Sequence, residues 1–270
     1  MLLISWIAAV IACLAYGVAT VLQAVGARRA AAAAGVGGVV GIVTQLPYLV
    51  GLALDGFGFL GNVVALRELP LFLVESIVAA SVGVTAIIAA LRGEKLGGRD
   101  WGALGVLGLG LVLLSLSAAA EAATVTGGAV TVAILVGAVV PLSVGLVGYR
   151  RAGRSSVILC AVAAGLGFSG VAVAARAMGA DAIDLRLLVN PLLWAVAAYG
   201  AIAVGFFGVA LQRGKVTVVA AVTFVIEVIV PSALGLLVFG DSMLPGREVL
   251  AAAGFVLAIG GTIALSRFAE

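Results

Sequence analysis

Apolar runs of about 20 residues, parted by short polar or glycine-rich breaks, recur along the whole chain. A helix rising 1.5 Å per residue needs about 20 mostly apolar residues to cross a bilayer. On that ruler the pattern predicts about nine spans, at 2–24, 45–66, 70–91, 101–118, 128–149, 156–177, 191–211, 216–239 and 249–265. The Gly- and Ala-rich link 30–41 reads either as a loop or as an extension of the second span. Pro70, Pro191 and Pro245 stand at or just before helix starts, where a missing N–H costs little. Pro141 and Pro231 fall inside spans and are expected to bend them.

Composition turns this pattern into a fold class. The chain has 270 residues, of which 64% are hydrophobic and 10% charged. No soluble core hides that much apolar surface, so lipid must solvate the outside. The expectation is an all-α, polytopic integral membrane helix bundle. Its 38 glycines fit close helix–helix contact in a bilayer. The net charge of +3 comes from basic residues placed singly or in small groups at segment ends. That is no stripe for nucleic acid. Histidine is absent, which removes His-ligated metals, His proton relays and Ser-His-Asp chemistry. Cys13 and Cys160 lie inside apolar runs and read as small packing residues. The first apolar run has no basic residue before it and Arg28-Arg29 after it, the reverse of a signal peptide, so it reads as a retained helix.

The chain also echoes itself. The stretch 51–96 returns in degenerate form at 198–243. Ala65-Leu66 matches Ala210-Leu211, Gly93-Glu94 matches Gly240-Asp241, and Gly98-Arg99-Asp100 matches Gly246-Arg247-Glu248. Tyr16-Gly17-Val18-Ala19 has a looser echo in Phe168-Ser169-Gly170-Val171-Ala172. The predicted organisation is one transporter domain over 1–270. Its first half is 1–118, its linking helix 128–149 and its second half 156–266. The single linking span inverts the second copy, giving a 4 + 1 + 4 inverted repeat. Secondary transporters use such repeats, with the substrate site near the midplane between halves.

Basic residues set the expected orientation. One side of the membrane receives Arg28, Arg29, Arg92, Lys95, Arg99, Arg150, Arg151, Arg154, Arg213, Lys215 and Arg267. The other receives Arg67, Arg176, Arg186 and Arg247. By the positive-inside rule the first side is cytoplasmic. The N-terminus is then outside and the C-terminus inside, in a cell (inner or plasma) membrane.

Three carboxyl groups fall inside spans: Asp55, Glu75 and Glu227. A charge at a helix centre costs about 2.5–3.5 kcal/mol on translocon scales, so intramembrane acids read as functional by default. No basic residue lies at comparable depth, and the acids are expected to lack a fixed partner. A carboxyl that gives up its proton to hold a cation is a proton-coupling device. Pro231, four residues after Glu227, deprives the carbonyl of residue 227 of its helical donor. Side chain and carbonyl then offer oxygen ligands at one bent position. Tyr16 and Asn62 are further candidates to line a path. Gln23 and Thr223 read as interhelical hydrogen-bond glue. Glu94 and Asp241, at helix ends, read as caps and charge compensation.

These motifs resemble the drug/metabolite transporter superfamily and its EamA-like permeases. The matching places are Ala65-Leu66, Arg92-Gly93-Glu94-Lys95-Leu96 and the Gly-rich run from Trp101-Gly102 to Gly110. A count of nine spans, with Asn62 before Ala65 and Pro70, is similar to the NIPA-type magnesium transporters of that superfamily. Their acidic residue three positions before the Asn falls here on Phe59, and Asp55 lies about one turn further off. The resemblance implies a secondary active transporter moving a small solute or cation by alternating access.

Alternatives stay open: a magnesium or divalent cation carrier, a flippase for a lipid-linked substrate with basic residues such as Arg213 and Lys215 at a lateral opening, or a non-transporting scaffold. No phosphate loop follows a strand, so gradients are the expected driving force. Enzyme chemistry is not expected. Asp184, a conceivable partner for Asp55, belongs to an outer loop, and no nucleophile signature accompanies them. No cofactor is expected. The expected partners are the lipid bilayer and a small-molecule or cation substrate, with no nucleic acid. Monomer and homodimer both remain open.

Overall fold

The computed structural model describes residues 2–32, 39–65, 77–78, 80–117, 128–178, 189–237 and 244–267. Every element longer than a single turn among them is an α-helix: α1 Leu2–Ala32, α2 Val39–Val43, α3 Leu46–Ala65, α4 Ser81–Leu91, α5 Gly98–Ser117, α6 Gly128–Gly137, α7 Val139–Arg150, α8 Gly153–Met178, α9 Pro191–Arg213, α10 Val216–Leu237 and α11 Glu248–Arg267. Six stretches are long and apolar enough to cross a membrane: Leu3–Ala32, Gly128–Arg150, Gly153–Ala175, Pro191–Arg213, Val216–Leu234 and Glu248–Leu265. Helices α3 and α5 add 20 residues each, about 30 Å of helix. The chain is a multi-pass helical membrane protein.

Side chains are sorted by size rather than polarity. Leu3, Ile4, Leu14, Phe57, Leu60, Val136 and Trp194 face outward, while Ala, Gly and Cys dominate the interior. Lipid tails are as apolar as leucine, so helices gain by letting backbones approach closely instead of hiding large side chains. Cys13 and Cys160 are buried free thiols, in keeping with a packing role.

Three antiparallel pairs form the frame: α1 with α3, α8 with α9, and α5 with α11. Glycine makes each possible. Gly26 lies against the Tyr48 backbone and Gly167 against that of Ala203. On α5 and α11, Gly110, Gly254 and Gly261 each touch the opposing backbone. Helix α4 leans on α1, and α10 packs on α8, α11 and α4 while touching α1, α5 and α9.

Proline explains two details. Pro191 occupies the first turn of α9, where Asn190 Oδ1 caps the helix by accepting from the Leu192 N–H at 2.9 Å. Between α6 and α7 the helix breaks at Ala138, three residues before Pro141, whose missing N–H deprives the neighbouring Gly137 carbonyl of its helical donor. There the Ala138 N–H turns to the Leu135 carbonyl at 3.4 Å. That leaves the Ile134 carbonyl without its helical donor, and the Tyr199 hydroxyl of α9 donates to it at 2.9 Å. Pro231, by contrast, sits within a continuous α10. Helix α1 also differs from expectation, running past residue 24 to Ala32 and carrying Arg28 and Arg29.

Candidate functional site

Polar side chains inside the apolar helices gather first along the α1–α3 seam. On α1, Tyr16, Thr20 and Gln23 recur at helical spacing on one face. On α3 the facing stripe is Gly51, Asp55, Gly58 and Asn62. Gly51 makes room for the Gln23 stem, and Gly58 for the Tyr16 ring, 3.2 Å from where a Cβ would stand. Gln23, nearly fully buried, donates from Nε2 to Asp55 Oδ2 at 2.5 Å. Asp55, at the middle of α3, therefore has a fixed neutral partner, which corrects the expectation that it lacks one. An amide N–H can serve the carboxyl in either protonation state. Two turns along, the buried Oδ1 of Asn62 has no hydrogen-bond partner, an acceptor that is costly to leave bare at this depth. Phe59 is 59% exposed and points away from this seam, so position 59 contributes nothing to it.

Glu227 stands elsewhere, half-buried on α10. Its neighbour Ile226 is pinned to α8, where Gly165 admits its side chain and the Ser169 hydroxyl donates to its carbonyl at 3.2 Å. One turn earlier, the Thr223 hydroxyl donates to the Ala161 carbonyl at 3.3 Å. Thr223 and Gln23 are thus interhelical glue, as their positions suggested. Helix α3 packs mainly on α1 and α10 on α8, so the two carboxyl groups belong to different helix pairs. Among the described residues no group of three or more Cys, Asp or Glu is placed to hold a metal ion. Glu75, Asp184, Asp241, Arg67 and Arg186 lie outside the described residues.

The third locus includes Arg213 and Lys215, which the flippase alternative had singled out, together with residues the sequence did not join to them. At the end of the bundle that carries most basic residues, a cavity of about 760 Å³ opens between α1, α4, α8 and α10. Its walls include Val21 and Ala24 of α1, Ala89 of α4, Val157 of α8 and Val218 of α10. Its rim carries Arg28, Arg92, Lys95, Arg154, Arg213 and Lys215, with Glu94 as its acidic residue. Glu94 is engaged: Oε2 accepts from the Val216 N–H at 2.9 Å and Oε1 from the Thr217 N–H at 3.2 Å. It caps α10 from across the bundle, where a carboxylate is favoured by free N–H groups and the helix dipole. Arg28 donates to the Gly214 carbonyl at 3.1 Å, and Gln212 to the Ala27 carbonyl at 3.2 Å. Arg213 lies over the Tyr149 ring and donates to Ser156 Oγ at 2.6 Å. Deeper in, the buried Tyr48 hydroxyl of α3 donates to the Val204 carbonyl of α9 at 2.6 Å.

The cap gives a direct expectation. Glu94→Ala strips two N–H groups of their acceptor and is expected to cost about 1–2 kcal/mol, as lost N-caps do. Glu94→Gln keeps one acceptor oxygen and is expected to recover part of that. Thermal unfolding in detergent measures both, and an unchanged midpoint for the Ala variant would show that water serves the helix end as well.

A sequence signal for the cavity existed only in part. The basic residues at the ends of the first, third, sixth and seventh spans were legible, but their meeting at one opening was not. No family model, curated protein or solved structure matches this chain.

Proposed function

We propose that the chain is a secondary active transporter of the drug/metabolite type, which moves a small solute across the membrane by alternating access between two inverted halves. The observation that carries this reading is the composition of the cavity wall. Helices α1 and α4 are the first and third of one half; α8 and α10 are the first and third of the other. A path at the boundary between equivalent pairs is what a repeat-built carrier needs.

Helix packing supports the repeat. First packs on second in both halves (α1 on α3, α8 on α9), first on third (α1 on α4, α8 on α10) and third on fourth (α4 on α5, α10 on α11). The fourth helices, α5 and α11, pair with each other. Their register fits too. Gly246 follows Gly98 by 246 − 98 = 148 residues, and the same step carries Gly110 to Ala258. Gly110 and Ala258 touch, as two equivalent residues on a two-fold axis must. The basic end is then cytoplasmic. Asp55 and Glu227 are the groups that exchange protons or hold a cation, and Tyr16 and Asn62 line the path beside Asp55.

Reconstitution tests the reading. Purified protein in liposomes with an imposed pH gradient is offered a panel of Mg²⁺, monovalent cations, amino acids and organic phosphates. Gradient-dependent uptake of one of them over protein-free vesicles is expected. No uptake of any, together with a stoichiometrically co-purifying protein, would establish a scaffold instead.

A further inference from the structure

We infer that the basic cavity is a binding site for a small phosphate-bearing anion, entering from the end of the bundle where Arg92, Lys95 and Arg154 stand. The inference rests on the carrier reading for its purpose, but its geometry stands alone. Topology requires only that basic residues lie on one side of the membrane. Arg29, Arg150 and Arg151 meet that need without lining this cavity. Six others line one opening, Arg28, Arg92, Lys95, Arg154, Arg213 and Lys215, and they come from four separate parts of the chain.

The acid that would balance them is spent elsewhere, since both Glu94 oxygens accept from the α10 backbone. Arg28 and Arg213 are tied to carbonyls and to Ser156 at the wall. Arg92, Lys95 and Arg154 are exposed, and among the described residues their side chains make no hydrogen bond or ion pair. Like charges around a concave, low-dielectric wall repel one another and concentrate counter-ions. Guanidinium groups favour the planar, multidentate contacts that phosphate oxygens offer. The walls below the rim are apolar, formed by Val21, Ala24, Ala89, Val157 and Val218. An occupant with a phosphate at the rim and an uncharged body in the cavity matches both surfaces. Such a phosphate belongs either to a soluble metabolite or to a lipid headgroup.

The test uses full-length protein in neutral maltoside detergent, titrated calorimetrically with inorganic pyrophosphate. Two triple variants are compared. One replaces Arg92, Lys95 and Arg154 by Gln; the other, matched in charge, replaces Arg29, Arg150 and Arg151 by Gln. Among the described residues none of these side chains makes a hydrogen bond or ion pair, so both variants should fold. Pyrophosphate is expected to bind the wild type, about tenfold or more weakly to the first variant as charge-assisted contacts are removed, and undiminished to the second. Absence of binding to the wild type, or equal losses in the two variants, would overturn the inference. Repeating the titration in nanodiscs identifies the source. Competition by phosphatidylglycerol, absent with phosphatidylcholine alone, assigns the site to a lipid headgroup; no competition assigns it to a soluble phosphate. Pyrophosphate binding by a protein that carries no solute would leave this site standing and remove the carrier reading. Uptake of a cation or neutral solute without any anion binding would do the reverse.

Discussion

Glu227→Gln is expected to abolish coupled uptake while leaving the folded protein intact. The substitution keeps the volume and hydrogen-bonding capacity of the side chain and removes only its ability to ionise. Glu227 sits on a helix with many neighbours: α10 packs on α8, α11 and α4, which the proposed repeat assigns to both of its halves. Its register is fixed, because Ile226 is held to α8 through the Ser169 hydroxyl and the space above Gly165. Pro231 lies four residues on and leaves the carbonyl of residue 227 without a ring-closing N–H. A bound cation or proton therefore meets a carboxyl and a carbonyl that has lost its helical donor at one place. Losing one charge-assisted contact of about 1.5–3 kcal/mol lowers affinity about 10- to 100-fold, and transport with it. The measurement is uptake of whichever solute the wild type moves, alongside proton movement and the thermal midpoint. Lost uptake at an unchanged midpoint places Glu227 in the transport cycle. Unchanged uptake and unchanged proton movement would remove it.

The helices were legible because a membrane span leaves a mark that needs no partner: about 20 apolar residues in a row. Where their residues are described, the stretches expected to span are helical except at Gln45, Ala80 and Ala138, and the break at Ala138 lies just before Pro141, where a bend was expected. The polar seam was half legible. Asp55 stands out against its apolar neighbours, and so does Gln23, but nothing in either run says that they meet. Their contact depends on Gly51 lying opposite the Gln23 stem. Glu94 was legible as a capping residue, but the helix it caps begins 122 residues later. The cavity was the least legible feature. Its lining comes from α1, α4, α8, the end of α9, α10 and the turns beside them, and no local pattern encodes that these helices will stand around one opening.

Two glycines on α5, two residues apart, are expected to respond to the same substitution with opposite signs. A Cβ on Gly110 would fall against the backbone nitrogen of Ala258, 2.8 Å from the Gly254 carbonyl oxygen and 2.9 Å from Ala258 Cα. These are backbone atoms of a helix packed along its length, so they cannot rotate away as a side chain would. Gly110→Ala is expected to push α5 and α11 apart and cost about 1–3 kcal/mol, the usual range for overpacking. A Cβ on Gly108 would meet nothing within 4 Å. Gly108→Ala removes only the flexibility of a mid-helix glycine and is expected to stabilise the protein by about 0.5–1 kcal/mol. Thermal unfolding of the two variants in one detergent compares them directly. A fall for Gly110→Ala with a rise for Gly108→Ala fixes α5 and α11 in contact through Gly110, the residue that the proposed repeat pairs with Ala258. Equal shifts would mean that this seam is not closely packed. The proposed axis between the halves would then lose its contact, and the inverted-repeat reading its firmest support in the packing.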